Sequence, residues 1–165
     1  MIRLRVTTTL LETMLMDLRR PHPFAFERIG FLCCTQVKVP SGYLLLGYRY
    51  VAIDDDRYIP DKSVGARFDG TTIRTGMQLA LAERATLFHV HVHEHTGVPR
   101  MSQVDAREMQ QLMPCFVNVC PERLHGALVL SMDHAYARVW GTALEATGID
   151  VSRITSVGDG IRVLS

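Results

Sequence analysis

An α/β sandwich is the fold class this sequence predicts. Three observations predict it. Element signals follow one another as helix, two strands, helix, strand, helix, strands. The helical stretches carry apolar residues at 3.6-residue spacing, and the others are β-former-rich with a period near two. The 165 residues are 47% hydrophobic and 21% charged, enough to bury one core, and no repeat, low-complexity tract or linker divides residues 1–165 into more than a single domain.

Taken in order, Thr9 and Glu12 stand at capping-box spacing, and Leu10, Leu11, Met14, Leu15 and Leu18 recur at helical intervals up to Pro21-His22-Pro23. A helix is predicted over 8–20. Residues 29–39 read as a strand, Pro40-Ser41-Gly42 as a turn, and 43–53 as the returning strand of a hairpin. Residues 54–69 carry charges, Pro60 and Gly65 without a period, which predicts a long surface loop. Asp69 caps a helix running to about Arg84, with Ile73, Met77, Ala80 and Leu81 on one face. Residues 85–93 alternate as a strand does, placing Phe88, Val90 and Val92 on one side and His89, His91, His93 and His95 on the other. The turn 96–99 leads to Ser102, which caps a helix over 103–113 with Asp105 in its first turn. Strands follow at 126–131 and 136–140, with weaker ones at 151–157 and 161–164, and Trp140 is expected to anchor the late strand in the core.

Composition removes several function classes. Eighteen basic against seventeen acidic residues leave a formal charge of +1, so no field is available to draw in nucleic acid or an anionic membrane. No apolar run approaches the ~20 residues of a membrane span. The start, Met1-Ile-Arg-Leu-Arg-Val, has no continuous apolar core, so a cytoplasmic location is expected. Cys33, Cys34, Cys115 and Cys120 form no CxxC pair and are expected to be free thiols rather than disulfides.

Histidine is the unusual element, since four of seven fall between His89 and His95. Neutral imidazole is a common nitrogen ligand of zinc, and alternate strand positions bring two ring nitrogens within reach of one ion at about 2.0–2.1 Å. Asp105 on the next element can complete the set while leaving a position open, which distinguishes a catalytic from a structural zinc site. Ser102 and Asp105 alone are equally explained as a helix cap.

His91-Val-His93 followed by Gly97, Pro99, Ser102 and Asp105 resembles the JAB/MPN metallopeptidases, whose JAMM motif joins His-x-His to Ser-x-x-Asp through a short loop and adds an upstream glutamate. Glu27-Arg-Ile-Gly30-Phe31-Leu32 matches the segment carrying that glutamate. The resemblance covers roughly residues 6–140 in element order and implies a cytidine-deaminase-like sandwich, a mixed curved sheet flanked by helices. One departure is the loop. Eight residues separate His93 from Ser102, one more than the family's usual spacing, and six separate His95 from Ser102, one fewer. Either His91 and His93 or His93 and His95 are the metal pair. The low closure entropy of an added loop residue favours the first, leaving His89 and His95 as hydrogen-bonding partners or solvated groups.

The resemblance implies Zn2+ held by His91, His93 and Asp105, Glu27 as the base that moves a proton, and Ser102 as a support for the oxyanion. It also implies cleavage behind the glycine tail of a ubiquitin-like protein or its conjugate. Loop 54–69 and the turn after His95 are the segments expected beside that tail. Compactness resembles stand-alone prokaryotic forms, some of which act in antiviral conjugation systems. Competing readings are weaker. Pro114-Cys115 suggests a nucleobase deaminase, but Cys120 is too far along and no His-x-Glu is present. His93-Glu94 does not continue into His-Glu-x-x-His, because Gly97 stands where the second histidine belongs. A non-catalytic MPN scaffold, or metal storage by the four imidazoles, are the non-enzymatic alternatives.

Overall fold

The computed structural model describes residues 1–24, 26–61, 65–144 and 146–165. Among the described residues, nine strands and three α-helices form a mixed α/β structure. The strands are β1 (Ile2–Thr7), β2 (Ile29–Val39), β3 (Gly42–Ala52), β4 (Thr86–Val92), β5 (His125–Leu130), β6 (Ala135–Trp140), β7 (Ile149–Asp150), β8 (Arg153–Val157) and β9 (Ile161–Val163). The helices are α1 (Thr8–Leu18), α2 (Gly70–Glu83) and α3 (Gln103–Val119). One sheet holds all strands in the order β7-β6-β5-β4-β2-β3-β1-β8-β9. Pairing is parallel for β1 with β3 and β8 and for β4 with β5, and antiparallel elsewhere. The sheet curls until its two ends meet, where Ala135 N donates to Leu164 O and Val151 N to Ala137 O, both at 2.8 Å.

Period-two alternation sends side chains to two cores. Leu4, Leu32, Leu45, Phe88, Val90 and Ile154 face inward with Leu11, Met14 and Leu18 of α1. Phe31, Cys33 and Leu87 face outward, under Ala80 of α2 and Met109, Met113 and Phe116 of α3. Each fully buried side chain of this size contributes on the order of 1.5–3 kcal/mol, so β4, buried at every position, is fastened from both sides.

The structure departs from the sequence expectations in four places. Residues 2–7, given no element above, form a central strand, because Ile2, Leu4 and Val6 alternate with Arg3 and Arg5. The N-cap of α1 is Thr7 rather than Thr9: Thr7 is extended and its Oγ1 accepts from Leu10 N at 3.1 Å, while Thr9 lies in the first turn. Helix α3 runs through Pro114 to Val119 instead of stopping at Met113. A mid-helix proline costs about 3 kcal/mol, but Met113 and Phe116 on either side of it are fully buried, and their packing offsets that cost. The loop 54–69 is not unstructured. It opens with a single 3-10 turn at Asp55–Arg57, Tyr58 bridges to Phe68, and Ile59 N donates to Arg67 O at 2.8 Å. Residues 62–64 of that loop lie outside the described residues.

Trp140 is buried at the end of β6 and donates from Nε1 to Ala146 O at 3.1 Å. All four cysteines are free. Among the described residues no helix is long and apolar enough to cross a membrane.

His125, to which the sequence assigns no role, is a structural imidazole. It is fully buried, its Nδ1 accepts from Leu87 N at 3.3 Å and its Nε2 lies 3.2 Å from Cys120 O, an arrangement satisfied by the neutral ring. Burial holds its pKa down at about 4, against 6.5 for a free histidine. The unfolded chain therefore takes up this proton first, so the stability due to the neutral ring is complete above pH 6.5 and is lost as pH falls through about 4. Urea unfolding should show the parent chain losing roughly 2–3 kcal/mol more than His125→Ala between pH 7 and pH 4. Parallel losses would disprove this role.

Candidate metal centre

Strand register builds the site. In the antiparallel β2–β4 pair, Ile29 opposes His91 and Phe31 opposes His89. Continuing by one pleat places residue 27 across from residue 93 on the outward face. Glu27 Oε1 is 3.9 Å from His93 Nε2. Ligand atoms of Glu27, His91 and His93 all lie within 4.8 Å of one another, a group able to hold a metal ion.

Asp105 arrives from α3. Its Oδ2 accepts from Ser102 N at 2.8 Å while Ser102 Oγ accepts from Asp105 N at 3.1 Å, completing a capping box. The same Oδ2 is 3.8 Å from His91 Nε2 and 3.7 Å from His93 Nε2. The cap and the metal-ligand readings of this motif are thus compatible, because one carboxylate oxygen serves the helix end and faces both imidazoles.

The four imidazoles do form a row, with ring centroids 5.7, 5.0 and 5.9 Å apart from His89 to His95. Its two ends differ. His89 is buried, with its ring 6.1 Å from that of Phe68. His95 is exposed, its Nδ1 2.9 Å from Thr96 O, and neither carboxylate reaches it. Of the two pairs left open by loop length, His91 and His93 are the ones brought together with Glu27 and Asp105. In the turn after His95, Gly97 has a φ of +89°, which suits glycine. Gly97 is pinned by Asp133 Oδ1, which accepts from its N at 2.7 Å, and by Ser131 Oγ, which donates to its O at 2.7 Å.

Burial keeps the ring nitrogens neutral. His89 is pushed down to about 3 and His91 to about 4 by desolvation, with Asp105 opposing, and His93 is lowered for the same reason. His91 Nε2 is buried without a hydrogen-bond partner. An unpaired polar nitrogen costs about 1–3 kcal/mol in such a place, and a cation relieves that cost. Burial first, then Asp105 and Glu108, raises the Glu27 carboxyl to about 7. Beside Glu27 lies a small cavity of about 30 Å3, bounded by Gly65, His91, Asp105 and Glu108.

Four further residues contribute to the site. Gly65 O accepts from Phe26 N at 2.9 Å and Glu27 N at 2.8 Å, and a Cβ on Gly65 would stand 2.6 Å from Glu27 Oε2. Arg28 is 1% exposed, paired to Asp55 at 2.6 Å and donating from Nε to Arg20 O at 2.8 Å. Tyr58 OH accepts from Ile29 N at 2.9 Å and donates to Ile29 O at 3.2 Å. Glu108, one turn after Asp105, could have been found from its i+3 spacing; the other three depend on contacts across the chain.

No protein-family model matches this chain, and no curated protein matches it.

Arg28 sits next to Glu27 and its charge is buried, whereas Asp55 is half exposed, so the pair is asymmetric. Asp55→Ala leaves a buried guanidinium without its counter-ion. It should cost about 2–4 kcal/mol in urea unfolding, well beyond the roughly 0–1 kcal/mol of an ordinary surface pair. A loss inside that surface range would show that the Arg20 and Pro21 carbonyls suffice for Arg28.

Proposed function

We propose that this chain is a zinc-dependent peptidase or isopeptidase of JAB/MPN architecture that cuts behind the C-terminal glycine tail of a ubiquitin-like protein. One observation carries the reading: Glu27, His91 and His93 converge within 4.8 Å, and Asp105 stands beside both imidazoles. The order helix, hairpin, helix, histidine strand, capped helix agrees with the family that the two motifs resemble.

His91, His93 and Asp105 hold the ion in this reading. Two neutral imidazoles and a carboxylate suit zinc, and the unpartnered, buried Nε2 of His91 has a use only if something coordinates it. Zinc bound there supplies Lewis-acid polarisation of a carbonyl and lowers the pKa of water. Glu27, facing His93 from the neighbouring strand, takes a proton from the attacking water and delivers it to the departing amine. Ser102 keeps its O–H for the developing oxyanion, since its Oγ lone pair already serves Asp105 N. The cavity of about 30 Å3 beside Glu27 offers room for about one water molecule.

The test is cleavage of a fusion in which a ubiquitin-like protein ending in Gly-Gly precedes a reporter. Mass measurement should place the cut after the glycine pair, with chelator stopping it and zinc restoring it. Glu27→Gln should retain zinc yet lower kcat/KM by about 10²–10⁴. Asp105→Asn, which still caps the helix, should lose at least about tenfold in zinc affinity by competition with a chromophoric chelator. Cleavage that survives both chelation and Glu27→Gln defeats the proposal. Zinc binding without cleavage of any such fusion would favour the scaffold alternative.

A further inference from the structure

The outward core beneath α2 and α3 takes no residue from β1, β8 or β9. On that part of the sheet the alternation of Ile2, Leu4 and Val6 into the inner core turns Arg3 and Arg5 outward. The parallel register sets Arg3 directly beside Arg153 and Arg5 beside Thr155. Like charges at directly opposed strand positions repel, so the fold gains nothing from placing them together. None of the three arginines makes an ion pair among the described residues. Arg3 donates to Ser41 Oγ at 3.2 Å, and its Nε is buried with no partner. All three line one cavity of about 250 Å3 with Thr155, flanked by Leu44 of β3 and Ile161 of β9.

We propose that this cavity binds a phosphate group, carried by a small anionic phosphate compound. Three arginines line one compact volume, and phosphate oxygens match the paired N–H donors that guanidinium groups offer. A volume below the roughly 300–1,000 Å3 of drug-sized sites limits the ligand to small compounds, and Leu44 and Ile161 offer an apolar wall for an ester's organic part. The site is separate from the histidine row, because β1 lies three strands from β4 in the sheet, about 14 Å measured along it.

Calorimetric titration at low ionic strength, with the full chain in chelator, tests this with inorganic pyrophosphate and with adenosine monophosphate. Saturable one-to-one binding of either supports the site. Tighter binding of the nucleotide marks a phosphate ester as its ligand, and tighter binding of pyrophosphate marks a free anion. Arg5→Gln and Arg153→Gln should each weaken binding at least about tenfold. Arg74→Gln, which removes an equal charge from exposed α2, should leave it within about twofold. Arg5 and Arg153 are exposed, so thermal unfolding should confirm that their variants fold. No saturable binding in the millimolar range, an equal loss in Arg74→Gln, or tighter binding of a hexaglutamate peptide overturns the proposal.

Discussion

The antiparallel pairing of β2 with β4 is the constraint on which the candidate centre depends. With Ile29 opposite His91, one further pleat puts Glu27 against His93, and a slip of one residue would turn every one of these side chains to the other face. The register is held by packing on both surfaces. Ile29, Phe31 and Leu87 belong to the outer core, and Leu32, Phe88 and Val90 to the inner one, so a slip would exchange the two sets against unlike neighbours. Two further devices fix the end of β2 nearest the site. Gly30 has no side chain because the Tyr50 ring lies over it, with a Cβ there only 2.1 Å from the Tyr50 hydroxyl. The Tyr58 hydroxyl takes both backbone groups of Ile29, so loop 54–69 serves as the next hydrogen-bonding partner.

The second fixed point is the start of α3. A capping box satisfies backbone N–H groups that the first turn leaves without partners, and a carboxylate there also faces the positive end of the helix dipole. Here the carboxylate that performs this local task also looks across to two imidazoles. Met109, Met113 and Phe116 anchor the helix against the sheet, which makes the position of Asp105 a consequence of core packing rather than of loop geometry. The turn between His95 and Ser102 is held separately, by Ser131 and Asp133 at Gly97.

The candidate centre is a cluster of groups that oppose one another without a cation. Buried imidazoles are held neutral, His91 Nε2 has no partner, and Glu27, Asp105 and Glu108 converge so that burial and mutual repulsion raise the Glu27 carboxyl. Such an arrangement spends stability that the rest of the molecule supplies through its doubly covered sheet. The arginine cluster on β1 and β8 has the same character with opposite sign, and it too lies where strand pairing forces like groups together.

How much of this was legible in the sequence follows from the range of each interaction. Alternation of His89, His91 and His93, the Ser102–Asp105 spacing and the Glu27–Gly30 segment are short-range patterns, and backbone geometry turns each into a definite local placement. Helix α3 passes the expected end at Met113, because the burial of Met113 and Phe116 comes from packing on a sheet distant in the chain. Arg28, Gly65 and Tyr58 were invisible for the same reason: each acts on residues tens of positions away. By itself the sequence determined the mixed α/β class, the shared face of the imidazole row and the capped helix carrying Asp105. Tertiary structure alone decided which imidazoles meet Glu27 and Asp105, because that choice depends on strand register and on a turn pinned from the segment between β5 and β6, neither of which residue spacing encodes.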